Sequence, residues 1–172
     1  MAVLILLALT LQANASTILD TGLIDFSPNG TQFGRLTRDG IPSDWSGPKA
    51  FPGVTGAPTA RAFQSITVNA GAFSFLQIIL DDPLAMFFVS AYLNAYNPVN
   101  SGPNFGLNVN YLGDAGLTQP FGNPSFFQIV VAPFSNVVIP INEINPGGGA
   151  GNKFQLIVEG FYDANRRTRW PH

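Results

Sequence analysis

Apolar and polar residues alternate with a period of two in several segments of this chain, and this pattern restricts the fold to β-structure. The clearest segment is 153–159, where one parity holds Phe154, Leu156 and Val158 and the other holds Lys153, Gln155 and Glu159. Successive side chains of a β-strand point to opposite faces, so the segment predicts a strand with one face in a core and one in water. Segments 105–111 and 87–94 predict two more such strands.

Other apolar runs have no alternation. Segments 76–80, 126–131 and 137–141 are apolar on both parities, which is typical of central strands covered on both faces. Earlier strands are expected at 18–26, 32–38 and 62–68. The chain has 18 glycines and 14 prolines and only 10% charged residues, a composition that favours short strands and turns over helices.

These patterns together predict the fold class. The chain should be all-β, as a two-sheet antiparallel β-sandwich of about nine strands with jelly-roll or Greek-key-like connections. The polar segment 39–60 contains four prolines and four glycines and is expected to be a loop crossing one end of the sandwich.

Residues 1–15 predict a signal peptide. The stretch from Ala2 to Leu11 is apolar and uncharged, and Ala13 and Ala15 follow at the spacing that signal peptidase recognises. We expect cleavage after Ala15, a secreted or cell-surface location, and a β-sandwich domain over residues 16–165. The alternative is a buried first strand or helix. A bilayer span needs about 20 apolar residues, so no transmembrane segment is expected in the mature chain.

Composition argues against several kinds of site and partner. There is no cysteine, so disulfides, thiol chemistry and cysteine-based metal sites are not expected. The formal net charge is −2, and leaving out Arg166, Arg167 and Arg169 near the end gives −5 for the rest of the chain. An acidic body is poorly suited to a phosphate backbone, so a nucleic-acid partner is not expected.

Seven short motifs follow one another along the chain: Gly34–Ser43, Pro48–Gly53, Ala60–Phe63, Ala91–Leu93, Tyr111–Gly116, Gly147–Gly151 and Val158–Phe161. Their order resembles an uncharacterised module of secreted and surface-associated bacterial proteins that often carry the PEP-CTERM sorting signal. The resemblance covers roughly residues 34–164. It implies a β-sandwich outside the cytoplasm and no known reaction.

Two features depart from that resemblance. Related modules often carry a cysteine pair, which this chain lacks, and the PEP-CTERM sorting signal itself is not found. We expect residues 166–172 to be a basic tail that is disordered or results from a truncated or shifted reading frame. The alternative is a genuine basic tail that binds an acidic surface. Membrane sorting is therefore not carried over from the resemblance.

The sequence contains no strong pattern of residues typical of a catalytic site. His172 is the single histidine, so a Ser-His-Asp arrangement or a usual zinc ligand set would depend on the last residue. Glycoside hydrolysis needs only two carboxylates, and Glu143 and Glu159 are the candidates for it. Glu159 falls on the polar parity of its strand, and Glu143 is more simply explained as a partner of Lys153 or Arg61. We therefore expect no enzyme activity, with a small glycoside hydrolase as the low-ranked alternative.

Calcium is the ionic ligand that the sequence favours, although no cofactor is required by any motif. Asp81, Asp82 and Asp114 lie in predicted turns, and calcium takes clustered carboxylate and carbonyl oxygens from such loops. The competing interpretation is that aspartate before proline or near glycine is an ordinary turn residue.

Aromatic residues provide a candidate sugar-binding surface. Trp45 lies in the long polar loop, where an exposed ring could stack on a ligand, and Tyr92, Asn94 and Tyr96 share one parity and could form a second patch. Trp45 could instead fold back as a lid on the core, since a large apolar side chain is favoured inside.

The sequence therefore favours an exported, non-catalytic module of the cell surface or extracellular matrix, with structural or interaction roles. Its expected partners are extracellular polysaccharide or surface proteins, and its oligomeric state is left open. A carbohydrate-binding module, calcium-stabilised or not, is the main alternative. Assembly into filaments through sheet edges is a third, because the strands carry few charges that would prevent it.

Overall fold

The computed structural model describes residues 15–98, 106–118 and 124–162, which form ten strands and no helix. The strands are β1 (Ser16–Asp20), β2 (Ile24–Asp25), β3 (Gly30–Leu36), β4 (Val54–Asn69), β5 (Phe75–Asp81), β6 (Phe87–Leu93), β7 (Tyr111–Asp114), β8 (Ser125–Val130), β9 (Asn136–Glu143) and β10 (Lys153–Phe161). The all-β prediction is confirmed, with more strands than the nine expected. Within the same ranges no helix has the length and apolarity that crossing a membrane would require.

Two antiparallel sheets contain all ten strands. The first sheet has the order β1-β10-β5-β8, with β2 also paired to β10, and the second has the order β3-β4-β9-β6-β7. When β2 and β3 are set aside, the remaining eight strands have the order of a jelly roll, in which chain neighbours alternate between the sheets except at the β6–β7 pair. The sandwich and its predicted jelly-roll topology are confirmed.

The main core lies between the two sheets. β10 contributes Phe154, Leu156 and Val158, all fully buried, which confirms the parity predicted for this strand. β5 and β8 of the same sheet add further core side chains, and the facing side chains come from β4, β6 and β9 of the second sheet. Because segment 153–159 of β10 is fully buried on this parity only, a shift of one residue in its register would move these side chains out of the core.

A second, smaller core covers the outer face of the second sheet. Leu36, Phe88 and Leu107 are buried together, and side chains from the segment before β4 pack around them. The β3–β4 hairpin and the turn 106–110 thus cover this face, so β6 is buried on both parities rather than half-buried as its alternation predicted. The strand predicted at 105–111 was wrong, because residues 106–110 form turns with positive φ at Gly106 and Asn110, and Phe105 lies outside the described residues.

Residues 37–53 form the long loop, which is shorter than the predicted loop because β4 already begins at Val54. Ser43 in this loop joins the edges of the two sheets. Its N–H donates to the carbonyl of Asp114 on β7 at 3.0 Å, and its carbonyl accepts the N–H of Gln128 on β8 at 2.9 Å. Backbone hydrogen bonds to Ser43 therefore close this side of the sandwich. The edge strands β7 and β8 have fewer free N–H and carbonyl groups with which a strand of another molecule could pair.

The other two sheet edges are irregular. β1 shifts its register between Thr17 and Leu19, and β3 shifts between Phe33 and Arg35, where Gly34 has a positive φ. Bulges of this kind bend an edge strand and interrupt its ladder, so they hinder pairing with a second sheet. The arrangement weighs against the filament hypothesis.

Both ends of the described domain lie at the same end of the sandwich. Ser16 at the start of β1 pairs with Gly160 near the end of β10 in the first sheet. The turns 70–74 and 131–135 lie at this end too, because Ala70 donates to Ser135 and Asn69 pairs with Asn136.

Replacing Gly116 by alanine tests how tightly the long loop is packed. Gly116 has φ +70°, and a Cβ there would lie 2.4–2.6 Å from backbone atoms of Ile41. Gly22 is the matched control, since its φ is +59° and a Cβ there meets nothing within 4 Å. We expect Gly22→Ala to lower the free energy of unfolding by about 1–2 kcal/mol, the usual cost of a left-handed alanine. Gly116→Ala should lower it by about 2 kcal/mol more through steric overlap. Urea denaturation measures both, and equal losses would contradict the close approach.

Candidate functional site

Trp45 lies inside, so its ring is not an exposed platform for a sugar. Only 7% of the residue is exposed, and the indole N–H donates to the carbonyl of Leu76 at 3.2 Å. The ring packs edge to face on Phe75 and Phe161 on the outer side of the first sheet, with centroids 5.7 and 5.0 Å away. Trp45 therefore packs inward, as the alternative interpretation expected, but it covers the outer side of the first sheet rather than one end of the core, and its single donor is satisfied.

The second aromatic patch is assembled only in part. The rings of Tyr92 and Tyr96 are in contact, with centroids 4.7 Å apart, but Tyr92 is fully buried. Asn94 turns away with φ +60° and forms hydrogen bonds with the backbone of Asn136 instead. The parity argument failed here because β6 ends at Leu93, and beyond a strand end the period of two no longer holds.

Tyr92 and Tyr96 belong to a longer aromatic row beneath the second core. Neighbouring ring centroids are 4.7–5.9 Å apart along the sequence of contacts Phe63, Tyr96, Tyr92, Tyr111 and Phe51. The hydroxyl of Tyr96 donates to Gln32, and that of Tyr111 donates to Asp114. The hydroxyl groups of Tyr96 and Tyr111 thus both have an acceptor within the protein. The row is a packed layer of rings in which these two hydroxyl groups are satisfied.

Asp114 is the centre of an ionic network that holds the long loop. Its Oδ1 lies 2.7 Å from Nζ of Lys49, which also lies 2.9 Å from Oδ1 of Asp39 and donates to the carbonyl of Ile41. The side chain of Asp114 is fully buried, and that of Lys49 is 9% exposed. Burial acts to raise the pKa of Asp39, but the hydrogen bond and charge of Lys49 outweigh it and hold that pKa below its usual value.

The three aspartates proposed for calcium do not form one site. Asp114 already holds an ammonium group, which occupies the place that a cation would take. Asp82 accepts the N–H of Phe87 at 2.6 Å, and burial raises the pKa of its carboxyl group, while Asp81 ends β5. Across the described ranges, no three acidic or histidine side chains come together in a way that could hold a metal ion.

The two glutamates considered for hydrolysis lie on different sheets. Glu143 on β9 accepts the N–H of Ala62 at 2.9 Å with one oxygen and that of Gly149 at 3.2 Å with the other. Glu159 on β10 accepts the side-chain amide of Gln77 at 3.0 Å. Glu143 therefore holds the turn after β9 in place. The expected partner Lys153 instead pairs with Asp25, and His172 lies outside the described residues.

A surface that the sequence analysis missed lies beside the two ends of the described domain, near Ser16 and Gly160. We call it the apolar end: the turns 70–74 and 131–135 with residues 161–162. Phe134 is 70% exposed and Tyr162 is 64% exposed, and the ring of Tyr162 packs on Phe73 at 4.6 Å. The apolar end contains no charged residue. The signal in the sequence was the pair Pro133-Phe134, an aromatic residue placed in a turn after a strand.

Phe134 is held in an unfavourable backbone conformation. Its φ is +64°, and its N–H donates to the carbonyl of Gly71 at 2.5 Å, while its carbonyl accepts the side chain of Asn69 at 3.0 Å. Non-glycine residues rarely adopt this region, and such positions are concentrated at functional sites.

Comparison with protein families, curated proteins and solved structures finds no match to this chain.

Replacing Lys49 by methionine should destabilise the protein strongly. The change leaves the carboxylate of Asp114 buried without its cation, and breaking a buried pair in this way costs about 3–5 kcal/mol. The control is Lys153→Met, because Lys153 and Asp25 are both more than half exposed. An exposed pair contributes about 0–1 kcal/mol. Chemical denaturation compares the two, and similar small losses would show that the network does not hold the loop.

Alkaline titration tests the buried aromatic row. Burial, with the charge of Asp114 in addition, raises the pKa of Tyr92 and Tyr111, and burial raises that of Tyr96. A tyrosine with a raised pKa stabilises the fold fully below its unfolded value of about 10, and the contribution is lost as pH rises further. We expect the ionisation of these three tyrosines, but not of the exposed Tyr162, to coincide with loss of the β circular dichroism signal above about pH 10. Ionisation of all three tyrosines with the fold intact would contradict their burial.

Proposed function

We propose that this protein is an exported, non-catalytic interaction or structural module of the cell surface or extracellular matrix. It contacts a partner through the apolar end, and it needs no cofactor for this role. The exposure of Phe134 and Tyr162, among described residues of the apolar end that carry no charged side chain, is the observation that carries the proposal. Exposed apolar patches are rare on soluble monomers away from interaction sites.

The distribution of charge supports this assignment of the binding surface. β9 runs from Asn136 at the apolar end to Glu143 at the opposite end, where Asp25 and Lys153 also lie. The turns 94–98 and 106–110, which adjoin the apolar end, also lack charged residues. A surface without charge can be desolvated on contact at a low electrostatic cost, which suits a partner that binds by apolar burial.

The structural use of the carboxylates supports a non-catalytic role. Glu143 and Asp114 each accept backbone hydrogen bonds, and Asp114 also holds Lys49. A general acid or base must exchange protons with a substrate, and groups already committed to the fold are poorly placed to do so. The proposed role therefore rests on binding rather than on bond cleavage.

The position of β1 is consistent with export. This strand begins at Ser16, directly after the predicted cleavage site at Ala15. Removal of residues 1–15 would leave all ten described strands in place. The mature protein would then begin with β1 beside the apolar end.

Retention of the purified chain on isolated bacterial cell envelopes tests the proposal. Wild type should sediment with the envelopes saturably, and the double variant F134S/Y162S should be retained at least about tenfold less, as expected for loss of central aromatic contacts. The control is L23S/L84S, since both leucines are more than half exposed on turns outside the apolar end.

Three results would count against the proposal. Equal retention of wild type and F134S/Y162S would remove the apolar end as the binding surface. Loss of retention in L23S/L84S would show a non-specific apolar effect. Release of sugars or peptides from the envelopes by wild type, at a rate above the buffer, would point to catalysis.

A further inference from the structure

Three arginines at the opposite end of the sandwich form no salt bridge with any carboxylate of the described residues. We call Arg35, Arg38 and Arg61 the arginine cluster. In the part of the chain that the structure describes, Lys49 and Lys153 both form salt bridges, but none of these three arginines does. Three guanidinium groups in one region without paired carboxylates produce a local positive field on a chain whose net charge is negative.

Arg61 is the most deeply placed of the three. It is 8% exposed, and its guanidinium group donates to the carbonyls of Gly56, Thr59 and Ile144 at 3.2–3.3 Å. Gly56 has φ +68°, and a Cβ there would lie 2.9 Å from Nη2 of Arg61, so glycine leaves the space that this group occupies. The charge of Glu143 acts on Arg61, yet both oxygens of Glu143 accept backbone N–H groups.

Arg35 has an unsatisfied donor. Its Nε is buried without a hydrogen-bond partner, although Nη1 donates to the carbonyl of Leu36 at 3.3 Å. Burial lowers the pKa of Arg35, and the charges of Arg38 and Arg61 lower it further. Arg35 pairs with Thr55 across β3 and β4, and the carbonyl of the next residue, Gly56, accepts a hydrogen bond from Arg61, so Arg35 and Arg61 lie in one region. A buried N–H without an acceptor destabilises a fold unless a ligand or water supplies the acceptor.

Arg38 is the solvent-exposed member of the arginine cluster. Its Nη1 donates to the hydroxyl of Thr118 at 3.0 Å. The adjacent Asp39 does not neutralise it through a salt bridge, because its carboxylate pairs with Lys49. The cluster thus ranges from a buried group to an exposed one, and an anion can approach it from solvent.

We propose that the arginine cluster binds the acidic group of an extracellular glycan, a uronate carboxylate or a sulfate ester. Guanidinium groups pair with planar or tetrahedral oxyanions through two parallel hydrogen bonds, and an anion here satisfies Nε of Arg35 and removes the mutual repulsion. The site lies away from the apolar end, so either surface can fail its test without the other.

The surroundings favour a sparsely charged glycan over a dense polyanion. The rest of the chain is acidic, so a ligand with charge at every position meets repulsion beyond the cluster. Phe33 lies two residues before Arg35 on β3 and is about half exposed, so the surface beside the cluster is partly apolar. One acidic sugar among neutral ones fits this combination.

Titration calorimetry of the full chain with trigalacturonate, and with neutral galactotriose as its counterpart, tests the proposal. We expect trigalacturonate to bind at least about tenfold more tightly than galactotriose, and binding to weaken as salt is added. A sulfated galactose trisaccharide that binds more tightly than trigalacturonate would identify the sulfate ester as the source of the anion. Tetraglutamate that binds as tightly as either acidic sugar would overturn the glycan assignment in favour of an acidic peptide.

Variants separate binding from folding. R38Q changes the exposed member and should lower the affinity about tenfold, whereas K153Q removes an equally positive exposed group elsewhere and should change nothing. R35M should lose binding while its melting temperature stays equal to or above that of wild type, because the repulsion and the unsatisfied donor are removed together. Equal loss in R38Q and K153Q, or a melting temperature of R35M several degrees below wild type, would show that the cluster is not an anion site.

Discussion

The ion pair between Lys49 and Asp114 is the interaction on which the closed shape of this sandwich depends. It fixes the long loop at the point where Ser43 joins β7 of one sheet to β8 of the other. The same loop carries Trp45 onto the outer side of the first sheet. Two sheets of short strands would otherwise meet only through their apolar faces, which set no register between their edges. A single buried ion pair thus positions the loop that links the two sheets at Ser43 and that packs Trp45 on the outer side of the first sheet.

Much of the fold was predictable because alternation reports directly on the faces of a strand. Phe154, Leu156 and Val158 are buried as their parity required, and the jelly-roll topology agrees with the number of short strands. The pattern failed at residues 106–110, since turn residues can alternate in polarity by chance. It also failed for Tyr92, because burial of the outer face depends on a hairpin distant in sequence. Local patterns do not contain that information.

The candidate site residues were less predictable than the fold. Trp45 and the aspartates were chosen by residue type, but the structure uses Trp45 for packing, Asp114 for an ion pair and Asp82 as an acceptor of a backbone N–H. The exposed Phe134 and the arginine cluster depend on three-dimensional placement: a turn held at positive φ in one case, and the missing carboxylates in the other. Lys and Arg can be counted from a sequence, whereas a cation without a partner can be recognised only when its neighbours are known.

The pairing of β1 with β10 has a mechanical consequence. Because Ser16 lies opposite Gly160 in antiparallel strands, the two ends of the described domain leave side by side. Tension applied between residues 15 and 162 therefore pulls perpendicular to the strands and loads their hydrogen bonds one after another. Such a geometry opens like a zipper at low force, in contrast to strands pulled along their length, where all bonds must break together. A domain attached by both ends would yield first by peeling β1 from the first sheet.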